Sequence, residues 1–92
     1  MPLALDWTPQ AENDLLAIVA YIADDNPDAA QALKDEIEAK AGQLPQHPKL
    51  YKPGRMKGTR EMVVRPNYLV VYAIGAAAIR ILRVMHTAQQ FP

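Results

Sequence analysis

Apolar positions recur at a helical period through the first half of the chain. Two stripes are formed, one of four residues and one of five, with spacings of three or four positions. The first stripe contains Ala11, Leu15, Ile18 and Ile22, and the second contains Ala30, Leu33, Ile37, Ala41 and Leu44. Such spacing places side chains on one face of a helix. The pattern therefore predicts two amphipathic helices.

Local signals mark the ends of both predicted helices. Thr8-Pro9 and Asn26-Pro27 each place a capping side chain before a proline, which suits the first helical position because its missing N–H would be unpaired there. Asp24-Asp25 should end the first helix, and Pro45 the second. Since few residues separate the helices, we expect an antiparallel helix hairpin.

A period of two marks the start and the second half of the chain. Residues 3–7 alternate in polarity and predict a short strand. Residues 60–65, 68–74 and 78–85 are rich in valine, isoleucine, leucine and tyrosine, with turn signals between them. Strands joined by such short connections must be antiparallel.

The expected fold class is therefore α+β. It consists of a short N-terminal strand, an antiparallel helix hairpin and a three-stranded antiparallel meander, with the helices packed on one sheet face. Residues 1–92 are expected to form a single domain.

Composition excludes several classes of site. The chain has no cysteine and no serine, so disulfides, thiolate metal sites and a serine nucleophile are impossible. Two histidines far apart in sequence do not indicate a metal site, and no motif indicates a cofactor. No apolar run approaches the length of a membrane span, and no signal-peptide pattern is present. We expect a cytoplasmic protein.

Charge is divided unequally between the two halves. Residues 1–46 carry nine of the ten acids and two bases, whereas residues 47–92 carry eight bases and one acid. The cationic half could bind a polyanion such as RNA, DNA or an acidic protein segment. Alternatively, the two halves face each other and neutralise locally.

Basic residues concentrate in the segment between the second helix and the meander. Prolines and glycines through residues 45–58 predict an ordered surface loop. Its candidate RNA- or partner-binding residues are Lys49, Tyr51, Lys52, Arg55 and Lys57, followed by Arg60. Cations interleaved with an aromatic ring suit a nucleic acid, because phosphates attract charge and bases stack. A solvated loop is the alternative.

The last strand carries the candidate catalytic groups Arg83 and His86. A histidine near an arginine can perform acid–base chemistry on a phosphodiester while the arginine stabilises negative charge. On a regular strand the two side chains would point to opposite faces, and Arg80 would share the face of His86. A bulge or strand end between them would be needed for one site. The alternative is a structural histidine and an arginine paired with a helix acid.

Several strings in fixed order resemble the RelE/ParE superfamily of bacterial type II toxins. They are Trp7-Thr8-Pro9, Asn26-Pro27, Gly58-Thr59-Arg60-Glu61, Asn67-Tyr68-Leu69-Val70-Val71-Tyr72 and Ile81-Leu82-Arg83-Val84-Met85-His86. The resemblance covers essentially the whole chain. It implies a toxin of a toxin–antitoxin (plasmid stabilisation) module and, as partner, a cognate antitoxin encoded adjacently.

The resemblance leaves two targets open. RelE-like members are ribosome-dependent mRNA endoribonucleases, and ParE-like members inhibit DNA gyrase without catalysis. The strings with Arg83, His86 and Phe91 resemble the arginine, histidine and aromatic set of some nucleases. If the chain is a ribonuclease, we expect His86, Arg83 and Arg60 to be catalytic and Arg80 and Phe91 to be among the RNA-binding residues. Leu69 stands where an arginine is common in the RelE-like pattern. The basic loop and His86 favour the ribonuclease slightly. A domain retained only to bind its antitoxin is a third interpretation.

Overall fold

The computed structural model describes residues 3–88. Two helices and four strands follow one another in the predicted order, which confirms the α+β fold. The elements are β1 (Ala4–Trp7), α1 (Pro9–Ala23), α2 (Pro27–Gly42), β2 (Arg60–Arg65), β3 (Tyr68–Ile74) and β4 (Ala78–His86).

The predicted capping residues begin both helices. The Thr8 side chain accepts a hydrogen bond from the Ala11 N–H, and the Asn26 side chain accepts one from the Ala29 N–H, each at 3.1 Å. Each bond satisfies one of the N–H groups that a helix leaves without an intrahelical partner. α2 ends earlier than Pro45, at Gly42, so the buried Leu44 lies in the turns that follow the helix.

The sheet is mixed, with strand order β1-β4-β3-β2. β2, β3 and β4 form the predicted antiparallel meander, while β1 pairs in parallel with β4. The helix hairpin, β2 and β3 separate β1 from β4 in sequence, and a connection of that length permits parallel pairing. Local sequence patterns predicted β1 but not its partner.

The helix hairpin packs on one face of the sheet, as predicted. The core beneath it joins the helices to alternate residues of the strands, including Leu33, Ile37, Met62, Tyr72 and Ile81, all 0% exposed. A smaller cluster lies on the opposite face, because strand neighbours point to opposite sides. It contains Leu69, Val71 and Met85, with Leu82 packed against it.

A charge placed in the main core should unfold the domain. Leu33→Asp buries a carboxylate with no partner at a fully buried position, and we expect a loss of more than about 3 kcal/mol in the free energy of unfolding. The control is Leu16→Asp on α1, where the side chain is 61% exposed and the change should stay below about 1 kcal/mol. Circular dichroism melts measure both. Equal stability of the two variants would contradict the assigned core.

Candidate functional site: a basic loop and the end of β4

Hydrogen bonds hold the segment between α2 and β2 against the sheet. The buried Tyr72 hydroxyl donates to the Pro48 carbonyl at 2.7 Å, and Arg60 Nη1 donates to the Tyr51 carbonyl at 2.6 Å. Burial raises the pKa of the Tyr72 hydroxyl, against the opposing effect of the Arg60 charge. The loop is therefore an ordered platform.

Two glycines shape the tip of this platform. Gly58 has a φ of 84°, a left-handed conformation that favours glycine. A Cβ at Gly54 would lie 2.6 Å from the Thr59 Oγ1, so a side chain does not fit there without displacement. The Gly54 N–H donates to the Thr59 carbonyl at 2.7 Å, which closes the tip.

Three lysines dominate the surface of the platform. Lys49, Lys52 and Lys57 are exposed, and none forms an ion pair within residues 3–88. Arg55 Nε instead lies 3.3 Å from a carboxylate oxygen of Glu61. The positive charge of the platform is therefore carried mainly by the lysines.

The aromatic ring that sequence analysis placed on this surface lies partly inside. Tyr51 is half-buried and packs against the main core. The exposed apolar side chains are Leu50 and Met56, which are 69% and 45% exposed. Sequence reasoning missed both, because an apolar residue in a charged segment carries no sign of whether it will be buried.

Other cations of the second half pair with acids of the first half. Arg83 pairs with Asp14, Arg65 with Glu36 and Arg80 with Asp6. Local neutralisation therefore accounts for these three arginines. It does not extend to the lysines of the loop.

Arg83 is tied to α1 by two contacts. Its Nε lies 2.7 Å from Asp14 Oδ2, and its Nη2 lies 3.3 Å from Oδ1. The hydrogen bond to Asp14 raises the pKa of the Arg83 guanidinium, and burial opposes this. This matches the alternative in which the arginine pairs with a helix acid.

His86 lies at the end of β4, beside a groove between α1 and the sheet. Its ring meets Tyr68 edge-on, with centroids 5.3 Å apart, and its Nδ1 accepts a hydrogen bond from the Ala88 N–H at 3.1 Å. The groove has a volume of about 670 Å³ and is mainly apolar. Its lining residues are Ala17, Ile18, Tyr21, Ile22, Asp25, Asn26, Tyr68 and His86.

β4 contains a bulge, but it does not lie between Arg83 and His86, where a shared site would need it. Ile81 pairs with Tyr72 and Arg83 with Val71, so Leu82 is the extra residue. This bulge precedes Arg83 and leaves Arg83 and His86 in register positions on opposite faces.

The same bulge corrects the prediction for Arg80. Arg80 pairs with Ala73, whereas His86 pairs with Tyr68, five positions away on β3. An odd separation means opposite faces, so Arg80 does not share the face of His86.

Arg60, the third candidate catalytic residue, lies away from His86 along the sheet. Arg60 pairs with Tyr72, four residues along β3 from the partner of His86, which corresponds to about 13 Å of strand. Phe91 lies outside the described residues. Within residues 3–88, no cluster of three or more potential metal ligands occurs, and no helix is long and apolar enough to cross a membrane.

The sequence model of the family described as "ParE toxin of type II toxin-antitoxin system, parDE" matches residues 5–91. The chain belongs to this ParE toxin family. It is also 40% identical over 87 residues to the Sinorhizobium fredii protein named "Putative toxin Y4kP", covering 94% of this chain and 90% of that protein.

Solved structures of toxin–antitoxin systems share the fold. A chain of the chromosomal ParDE system from P. aeruginosa superimposes with a TM-score of 0.84 at 23% identity, covering 91% of this chain and 95% of that chain. A chain of the RelBE2 toxin–antitoxin complex from Mycobacterium tuberculosis gives 0.64 at 27% identity, covering 94% and 99%. The protein is thus a toxin of a type II toxin–antitoxin system.

The Tyr72 contact that anchors the loop of this ParE-family toxin should make its stability fall in alkali. Because the pKa of Tyr72 is raised above 10.0, the folded protein keeps the phenolic proton where the unfolded chain has released it. The stabilisation is therefore complete below about pH 10 and is lost as the pH rises through the folded-state value. Denaturant unfolding across this range should show a steeper alkaline loss for wild type than for Tyr72→Phe. If wild type and Tyr72→Phe lost stability equally as the pH rises, the raised pKa of the buried Tyr72 hydroxyl would be contradicted.

Proposed function

We propose that this toxin acts by binding DNA gyrase, with no catalytic step of its own. The observation that carries the proposal is the separation of the three candidate catalytic residues. Arg83 is bound to Asp14, His86 faces the groove beside α1, and Arg60 bonds to the carbonyl of Tyr51. General acid–base catalysis needs the proton carrier and the charge-stabilising group at the same reacting atoms.

The surroundings of His86 are also unfavourable for RNA. Asp25 lines the groove beside it, and Asp24 and Asp28 are exposed at the same turn of the helix hairpin. Carboxylates near a scissile phosphate repel it, and the loop lysines that could offset them belong to a different segment. The histidine position therefore supports a binding function more than a ribonuclease.

Leu69 adds independent support. It occupies the position where the RelE-like pattern commonly has an arginine, and here it is 3% exposed within the apolar cluster of Val71 and Met85. An apolar side chain at this point stabilises the sheet and cannot hold a phosphate. The match to the ParE family agrees with this interpretation.

The basic loop is the surface best suited to the target. Lys49, Lys52 and Lys57 supply charge that attracts an acidic protein surface, while Leu50 and Met56 supply exposed apolar area. Protein interfaces combine such an apolar centre with a polar rim. Long-range attraction by the lysines should increase the association rate and should weaken with added salt.

The ribosome-dependent endoribonuclease is the second candidate. The observation that favours it is the position of His86 at an open groove beside Tyr68, where a nucleobase could stack. A reaction there would take place without Arg83 or Arg60 in the same site.

Purified protein should inhibit supercoiling by gyrase, and the inhibition should depend on the loop. We expect the triple variant Lys49→Ala, Lys52→Ala, Lys57→Ala to need at least about 10-fold more protein for half inhibition, because three attractive charges are lost. The control is Lys34→Ala on α2, whose lysine already pairs with Glu38 at 3.0 Å. His86→Ala should stay within about 2-fold of wild type, since it carries no chemistry in this proposal.

The same proteins are then tested for mRNA cleavage on ribosomes. No cleavage is expected. Cleavage by wild type that falls about 10²–10⁴-fold in His86→Ala, with no effect on supercoiling, would overturn the gyrase proposal and establish the enzyme.

A further inference from the structure

Glu61 is the only acid in the cationic half of the chain, residues 47–92. It lies in β2, directly after the basic loop, and its side chain is only 19% exposed. A negative charge at this place lowers the positive potential that would attract an acidic partner to the loop. The electrostatic effect of Glu61 on that surface is therefore unfavourable, and its contacts show a different contribution.

Glu61 holds the backbone of the loop at two points. Its Oε2 accepts a hydrogen bond from the Arg55 N–H at 3.0 Å and lies 3.3 Å from Arg55 Nε. Its own N–H donates to the Lys52 carbonyl at 3.2 Å. A hydrogen bond to a carboxylate is about twice as strong as one between neutral groups. One residue of a sheet strand thus fixes the loop at Lys52 and at Arg55.

Gly54 lies between these two attachments and packs directly on the Glu61 side chain. A Cβ at Gly54 would lie 3.1 Å from Glu61 Cγ and 3.2 Å from Oε2. The turn that follows is closed by Thr59, whose N–H and hydroxyl both donate to the Met56 carbonyl, at 3.1 and 2.6 Å. Residues 52–59 therefore form one hydrogen-bonded unit that rests on Glu61.

The side chains proposed to contact gyrase stand on this unit. Lys52 is at its start, and Met56 and Lys57 are in its turn, all three exposed. Ordering a loop and its side chains on binding costs free energy, and a loop that is already held in place loses less. A fixed loop should therefore bind more tightly than a mobile one that carries the same charges.

We propose that Glu61 is a positioning residue whose carboxylate fixes the Arg55 backbone and so presents the basic loop to the target. This deepens the proposed function and rests on it for the identity of the target. Positioning predicts that loss of this acid weakens binding to an acidic surface. Charge alone predicts the opposite, because the loop becomes more positive.

Two substitutions at Glu61 separate position from charge. Both Glu61→Ala and Glu61→Gln remove the negative charge, but glutamine keeps an oxygen that can accept the Arg55 N–H. In gyrase supercoiling assays, we expect Glu61→Ala to need at least about 5-fold more protein for half inhibition and Glu61→Gln to stay within about 2-fold of wild type. The control is Glu38→Ala, which removes an acid paired with Lys34 on α2 and should also stay within about 2-fold.

Hydrogen exchange measured by NMR tests the loop without gyrase. We expect the Arg55 amide to exchange at least about 10-fold faster in Glu61→Ala than in wild type, and to stay within about 3-fold of wild type in Glu61→Gln. The amide of Val70, which is fully buried in the central strand β3, should remain protected in both variants and so report that the fold is kept.

Gly54→Ala provides a second variant, which keeps every charge and is used if Glu61→Ala does not fold. Its added methyl group meets Thr59 Oγ1 and the Glu61 side chain, so it should move the loop away from Glu61. We expect faster exchange of the Arg55 amide by at least about 10-fold and weaker gyrase inhibition by at least about 5-fold.

Three results would overturn the positioning role of Glu61. They are unchanged exchange of the Arg55 amide in the alanine variants, stronger inhibition by both Glu61 variants, and equal loss of inhibition in both. Failure of wild type to inhibit gyrase would instead overturn the proposed function. The exchange of the Arg55 amide would then still decide whether Glu61 holds the loop, so the two failures are distinguishable.

Discussion

The Asp14 carboxylate joins the helix hairpin to the part of the β4 edge that β1 does not cover. β1 ends at Trp7, opposite Ile81, and leaves the outer edge of β4 without a strand beyond that point. Asp14 Oδ2 accepts hydrogen bonds there from the Val84 N–H at 3.0 Å and from Arg83 Nε at 2.7 Å. A buried backbone N–H without a partner costs free energy, and the carboxylate removes that cost while neutralising Arg83.

Thr8, at the start of α1, bonds to β4 and so places Asp14 close to the same strand. The Thr8 N–H donates to the Ile81 carbonyl at 3.1 Å, and the Thr8 hydroxyl donates to the Leu82 carbonyl at 3.3 Å while accepting the Ala11 N–H. One residue therefore caps the helix and fastens it beside the bulge of β4. Asp14, less than two turns later, then reaches the next residues of the same strand. The hairpin position follows from these two attachments.

The cations of the second half fall into two groups, those that pair with acids of the first half and those that face solvent. Arg65, Arg80 and Arg83 pair with acids of the first half and hold elements together. The three lysines of the basic loop form no ion pair within residues 3–88 and face solvent. The paired arginines are neutralised locally, whereas the lysines leave a positive surface for a partner.

Local chemistry in the sequence predicted most of the fold. The Thr8-Pro9 and Asn26-Pro27 pairs begin helices because capping and proline geometry depend only on neighbouring residues. Contacts between distant residues were harder to predict. The Asp14–Arg83 pair spans 69 positions, and the parallel pairing of β1 with β4 depends on how the whole chain closes.

In the candidate site, too, the features set by neighbouring residues could be predicted and the others could not. The position and charge of the basic loop could be predicted, because the lysines, prolines and glycines lie within one short segment. The face occupied by each residue of β4 could not, because the single extra residue Leu82 reverses the alternation after it.

A double-mutant cycle on Asp14 and Arg83 tests most directly the claim that this pair is structural. Asp14→Asn keeps an oxygen that can accept from the Val84 N–H, so comparison with Arg83→Gln and the double variant isolates the ion pair. Denaturant unfolding should give a coupling free energy of about 1–3 kcal/mol, with both single variants less stable than wild type. A coupling energy indistinguishable from zero would show that Arg83 does not hold the hairpin and is available for another role.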